Sequence, residues 1–209
     1  MVKQGPDYTI RPPNTCSAGK RWWGPGRRQP AWAWLVGLGM LLVIAGCGYH
    51  ANPDDVREYV VFANDFEHMA GWLPENAPAL STERAHSGRY SVRVDKEHPY
   101  SLTYRLTVGK AFSRRPHRMR LSAWVWVAGA DDNAQLVFTL GLPAPNTPPL
   151  FSTRLFLADN WPYKRWTHLS RDIDLPPEFP SQSQLNVYLW HCTAQDAVFA
   201  DDWQLTELH

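Results

Sequence analysis

Two adjacent carboxylates, Asp201 and Asp202, stand inside the apolar run Val198-Phe199-Ala200-Asp201-Asp202-Trp203-Gln204-Leu205. In an extended strand successive side chains leave on opposite faces, so the pleat directs one of the two inward. An inward carboxylate needs a partner, and a hard cation or a set of N–H donors answers that need. A second pair, Asp172 and Asp174, has the same-face spacing of a sugar-cleaving acid and base. It runs straight into Leu175-Pro176-Pro177, a strand end, and reads as a solvated face. Asp131-Asp132 sits in a turn. The eight histidines are scattered, with no pair at i, i+2 or i, i+4 in a metal-ligand setting. There is no Gly-Xaa-Ser-Xaa-Gly elbow and no phosphate loop. The sequence shows no catalytic constellation, and a non-enzyme is expected.

Binding chemistry is better represented. In the strand 118–128, Ser122, Trp124 and Trp126 share one face, opposite Leu121, Ala123, Val125 and Val127. In Leu185–Cys192, Asn186, Tyr188 and Trp190 alternate with Leu185, Val187 and Leu189. The strand 102–108 sets Thr103, Arg105 and Thr107 against Leu102, Leu106 and Val108. If the aliphatic sets fill a core, Trp124, Trp126, Tyr188, Trp190, Arg105 and Asn186 share an outer face. Aromatic planes beside amide and guanidinium donors suit a polysaccharide: rings stack on apolar C–H faces, and hydroxyls bond at the rim. The same tryptophans would equally serve as core.

The elements that must carry these residues are strands. Strand patterns run near Tyr59–Ala63, Leu80–Glu83, Arg89–Val94, Leu102–Val108, Arg118–Ala128, Gln135–Leu140, Phe151–Phe156 and Arg165–Leu175. Two more, Leu185–Cys192 and Ala197–Leu208, read as a terminal hairpin joined by Thr193-Ala194-Gln195-Asp196. The first of this pair is apolar on both faces, which places it centrally in a sheet. The segment Pro143–Pro149 cannot supply a ladder and is a loop. About ten strands without helical periodicity give an all-β chain, a β-sandwich jelly roll.

Charge is segregated along the chain. Residues 1–47 hold six Lys/Arg and one acid, leaving 15 basic and 19 acidic residues downstream. That balance argues against nucleic acid, or an anionic bilayer, as partner of the folded part. Ala31–Gly46 carries no charge over 16 residues, short for a membrane span and suited to an export signal. It ends in Ile44-Ala45-Gly46-Cys47, which strongly resembles the lipobox of bacterial lipoprotein signal peptides. The resemblance implies cleavage before Cys47, diacylglycerol on its sulfur and a further acyl chain (palmitate or similar) on the new amino terminus. Two or three chains anchor stably where one does not. The residue after Cys47 is Gly48, not the Asp of an inner-membrane retention signal, which favours the outer membrane, on its periplasmic or surface face. The expected organisation is a signal segment 1–46, a lipidated tether 47–57 and a sandwich 58–209. With Cys16 removed and Cys47 acylated, Cys192 is expected to be a lone thiol.

Within 58–209, Asn64-Asp65-Phe66-Glu67, Gly71-Trp72, His86-Ser87-Gly88-Arg89-Tyr90-Ser91, Leu121-Ser122-Ala123-Trp124-Val125, Val187-Tyr188-Leu189-Trp190 and Ala200-Asp201-Asp202-Trp203 occur in order. Together they resemble the galactose-binding-domain-like jelly rolls, the fold of many carbohydrate-binding modules. The resemblance implies a structural calcium held by Glu67 and Asp201, with Asp65 and Asp202 as alternates and backbone oxygens from the Ser87–Arg89 turn. The alternative is that these carboxylates accept backbone hydrogen bonds. Function is expected to be non-catalytic carbohydrate binding on a lipid anchor. The other reading is an assembly lipoprotein whose sandwich meets an envelope protein and no sugar.

Overall fold

In Arg118–Trp126 every second residue is buried, and Met119, Leu121, Ala123 and Val125 lose all solvent contact. The same parity governs Gln184–Trp190, where Leu185, Val187 and Leu189 point into one interior. Fully burying side chains of this size contributes about 1.5–3 kcal/mol each. The computed structural model describes residues 57–69, 79–144 and 146–209. The expected signal segment 1–46, Cys47 and Gly71-Trp72 lie outside the described residues.

Among the described residues ten strands follow one another: β1 Glu58–Asn64, β2 Leu80–Ser81, β3 Ser91–Val94, β4 Tyr104–Thr107, β5 Arg118–Trp126, β6 Gln135–Gly141, β7 Phe151–Phe156, β8 Trp166–Asp174, β9 Gln184–Trp190 and β10 Val198–Leu208. One sheet has the order β2-β3-β10-β5-β8, with β1 also pairing β10; the other has the order β4-β9-β6-β7. All pairings are antiparallel. The sheets close on one apolar interior that takes Leu121, Val125 and Leu205 from the first and Phe138, Leu140 and Leu185 from the second. Among the described residues the only α-helix is the single turn Val108–Ala111. This is the β-sandwich expected, and among the described residues its buried hydrophobic side chains lie between Phe66 and Leu208.

The terminal pair is not a hairpin. β9 lies between β4 and β6, whereas β10 lies in the other sheet beside β5. Residues 191–197 therefore cross from one sheet to the other. Both strands are rich enough in apolar groups to occupy a central position, and the fold places one in each sheet.

The second departure concerns Asp201 and Asp202. They do not leave on opposite faces, because the β10–β5 register shifts between Asp201 and Gln204 and Asp202 takes a left-handed φ of 47°. A bulge of this kind breaks the two-residue alternation. Both carboxylates reach the segment 86–87, and Trp203 turns inward, edge-on to Phe66 with ring centroids 5.4 Å apart.

Candidate functional site

Outward residues of the four-stranded sheet come together as follows. β9 presents Asn186, Tyr188 and Trp190; β6 presents Gln135, Val137 and Thr139 directly beside them. Arg105 of β4 pairs with Asn186 and is exposed. Tyr100 enters from outside the strands through a single bridge to Trp190. Its ring lies parallel to the indole, centroids 6.0 Å apart and planes 12° apart, and 6.4 Å from the ring of Tyr188. The Arg154 guanidinium stands 5.6 Å from the Trp190 ring, within range of a cation–π contact. Val137, Tyr188 and Trp190 form an apolar cluster separate from the main core.

Tyr188 and Trp190 are a floor, only 4% and 9% exposed in the 209-residue chain, while Tyr100 is 40% exposed. The expectation of freely exposed Tyr188 and Trp190 platforms is corrected accordingly. Burial, reinforced by Tyr100 and opposed by Arg154, pushes the Tyr188 phenol up to about 12. It is neutral and able to donate throughout the physiological range. Burial raises the Tyr100 phenol as well. Two amide oxygens on this face, Gln135 Oε1 and Asn186 Oδ1, are buried without a hydrogen-bond partner. Their amide nitrogens are used: Asn186 Nδ2 donates to Thr139 Oγ1 at 3.2 Å, and Gln135 Nε2 to Cys192 Sγ at 3.3 Å. An orphaned buried acceptor costs about 1–3 kcal/mol. None of the four strands contains Asp or Glu.

Trp124 and Trp126 belong elsewhere. They lie on the outer face of the six-stranded sheet, beside His168 and Trp166 of β8 and Asp201 and Phe199 of β10. Parity was read correctly on each strand, but the strands sit in different sheets, so the six expected sugar-contacting residues divide between opposite outer faces. Moreover, the segment 82–89 covers the tryptophans with its own side chains. His86 stacks on Trp124 at 3.8 Å and 11°, and the Arg84 guanidinium sits 4.0 Å from the Trp126 centroid. Beneath these groups both rings keep only partial exposure.

The expected calcium ligands hold this covering segment by hydrogen bonds. Asp201 Oδ2 accepts from the backbone N–H of His86 at 2.8 Å and Ser87 at 3.1 Å, and Oδ1 from Asp202 N–H at 2.7 Å. Asp202 accepts from Ser87 Oγ at 2.7 Å and lies 2.6 Å from His86 Nδ1. Glu67 Oε1 accepts from the N–H groups of Arg89 and Tyr90, both at 2.7 Å. Asp65 Oδ1 accepts from Glu67 N–H at 3.2 Å. The donor set does not fit a calcium ion. The turn presents N–H groups rather than carbonyls to the carboxylates, and no cluster of three acidic, His or Cys side chains suited to a metal occurs among the described residues. Burial raises the Asp201 carboxyl, against the lowering effect of the Ser87, His86 and Asp202 N–H groups.

Gly88 is required at the turn: its φ is +57°, and a Cβ there would lie 2.4 Å from the Glu67 carboxyl. Cys192, expected as a lone thiol, is disulfide-bonded. Sequence reasoning missed Tyr100, Gln135 and Arg154, because Tyr100 lies outside any strand and β6 and β7 were not matched to β9. It also missed Arg84 and His86, which carry no periodic signal.

No family model matches this chain, and no curated protein matches it. Similar solved structures include a family 16 carbohydrate-binding module at 15% identity, covering 67% of this chain and 94% of that one, with a TM-score of 0.46. The CBM22-1 xylan-binding domain of Paenibacillus barcinonensis Xyn10C is similar at 15% identity over 72% and 94%, TM-score 0.40. A Stig cyclase from Fischerella is similar at 16% over 61% and 68%, TM-score 0.38. These neighbours are β-sandwich carbohydrate-binding modules in the first two cases and a cyclase in the third.

Proposed function

We propose that the outer face of the four-stranded sheet binds a polysaccharide without cleaving it, and that the sandwich is carried on a lipid anchor at Cys47 in the outer membrane. The observation that carries the binding reading is the Tyr100–Trp190 stack beside Tyr188, with exposed Arg105 at the rim. Tyr100 supplies an accessible apolar plane, and Arg105 supplies donors for ring hydroxyls. Cleavage requires a matched carboxylate pair, and these four strands have no carboxylate at all. The anchor reading rests on Ile44-Ala45-Gly46-Cys47 behind an uncharged stretch. A glycan-array screen of the protein tests the binding reading. Binding to a defined class of glycans supports it, and a blank array with a captured envelope protein supports the assembly alternative.

A further inference from the structure

The sandwich is charged differently at its two ends, and the chain enters at the basic one. Strand register sets Glu58, Leu208 and Arg118 side by side, with Asp174 next to Arg118. Residues 108–117 and 175–183 join this edge to Thr107 and Gln184 of the other sheet, so both sheets finish at the same end. Exposed there are Arg57, Lys110, Arg114 and Arg115. Arg118 and Arg120 are neutralised by Asp172, Asp174 and Glu58. No ion pair of Lys110, Arg114 or Arg115 occurs among the described residues; Arg115 donates to the Pro177 carbonyl at 2.9 Å and stands 5.3 Å from the Phe179 ring. One exposed acid, Glu178, shares these loops. The far-end loops have the opposite balance, with Asp95, Glu97, Asp131, Asp132, Asp159 and Asp196 against Lys96, Lys164 and Arg165.

The basic end is also apolar at its tips. Tyr59 and Val60, at the start of β1, and Leu142 and Leu150, flanking the β6–β7 loop, are all exposed. Basic groups interleaved with exposed apolar side chains match the chemistry of an anionic lipid interface: headgroup phosphates for the cations, the acyl boundary for the rings and aliphatic chains. The chain upstream supplies an independent direction. Cys47 is ten residues from Arg57, a reach of at most about 33–36 Å, and β1 begins at this same end. We propose that this end of the sandwich docks on an anionic lipid surface. The anchor reading supplies only the orientation; the pattern of charge and exposed apolar groups stands without it. The proposal runs against the expectation drawn from the domain's net charge, because it rests on how that charge is distributed rather than on its sum.

The test is flotation of residues 57–209, which contain both sheets and the core found among the described residues, with phosphatidylcholine vesicles with and without phosphatidylglycerol. Binding is expected on the anionic vesicles, with release by salt. Lys110→Glu, Arg114→Glu and Arg115→Glu together should weaken it roughly a hundredfold, about fivefold per side chain. Equal binding to neutral vesicles, or an unaffected triple variant, overturns the proposal. Should the shortened chain fail to fold, the full-length protein inserted in the same vesicles gives a second measure. Trypsin cleavage after Lys110 and Arg114 should be slower on anionic than on neutral vesicles, and equal rates overturn the proposal. Neither measurement involves a sugar, so either outcome is separable from the fate of the binding reading.

Discussion

Replacing Asp201 by Ala removes a fully buried carboxylate that accepts three backbone N–H groups. The His86 and Ser87 donors sit in a half-exposed segment where water can partly replace the carboxylate, so the loss is nearer 1 than 3 kcal/mol per bond, about 3 kcal/mol in all. For a domain of about 150 residues this lowers the melting temperature by roughly 6–12 °C. The variant should also release the segment 84–87, exposing the Trp124 ring that His86 covers. Thermal denaturation followed by tryptophan fluorescence reads both effects. The decisive control is chelator: wild type and Asp201→Ala should each melt identically with calcium and with chelator. A calcium site at a hundredfold excess over its dissociation constant would instead add about 2.7 kcal/mol. A wild-type melt that falls on chelation, together with an insensitive Asp201→Ala, would refute the hydrogen-bonded reading of these carboxylates.

Gly88→Ala must hold a left-handed backbone and push aside the Glu67 carboxyl, at a cost of about 1–3 kcal/mol; an unchanged melting temperature would show that the turn relaxes freely. The hydrogen bond from Arg120, with the charges of Arg120 and Arg118, holds the Asp172 carboxyl below its ordinary 3.8 despite burial. A carboxyl lowered by folding stabilises the fold above its unfolded value and loses that contribution as pH falls through the folded one. The melting difference between wild type and Arg120→Ala should therefore be full near neutrality and shrink below pH 3.8; a difference that grows on acidification would contradict this. If Cys47 is acylated, Cys47→Ser abolishes labelling by a fatty-acid analogue and blocks processing. The mature lipoprotein, lacking Cys16, should then show one titratable thiol, Cys192, after denaturation, and finding none would sink the anchor.

Parity was the most legible part of the sequence. The aliphatic sets of β5 and β9 do fill one interior, and the strand Phe151–Phe156 lies where its pattern placed it. What alternation cannot tell is which sheet a strand joins. β9 and β10 are close in sequence and both apolar, yet residues 191–197 carry the chain between sheets, and this divided the expected aromatic face in two. The carboxylate pair was misplaced for a local reason: only a bulge lets Asp201 and Asp202 face the same segment, and a non-glycine left-handed residue gives no signal in sequence. The covering of Trp124 and Trp126 by His86 and Arg84 depends on long-range contacts made by an irregular segment, which composition does not register.

The most direct test compares Tyr100→Ala with Trp124→Ala for both glycan binding and thermal stability. Tyr100 is exposed on the proposed binding face, so its loss should weaken binding about tenfold, on the order of 1–2 kcal/mol, and leave the melting temperature nearly unchanged. Trp124 is half-buried between His86 and His168 on the opposite face. Its loss should cost about 2 kcal/mol of stability, less than the 3–5 of a fully buried ring, and lower the melting temperature by roughly 4–8 °C without changing affinity. Glycan binding abolished by Trp124→Ala but untouched by Tyr100→Ala would contradict the assignment of the site to the four-stranded sheet.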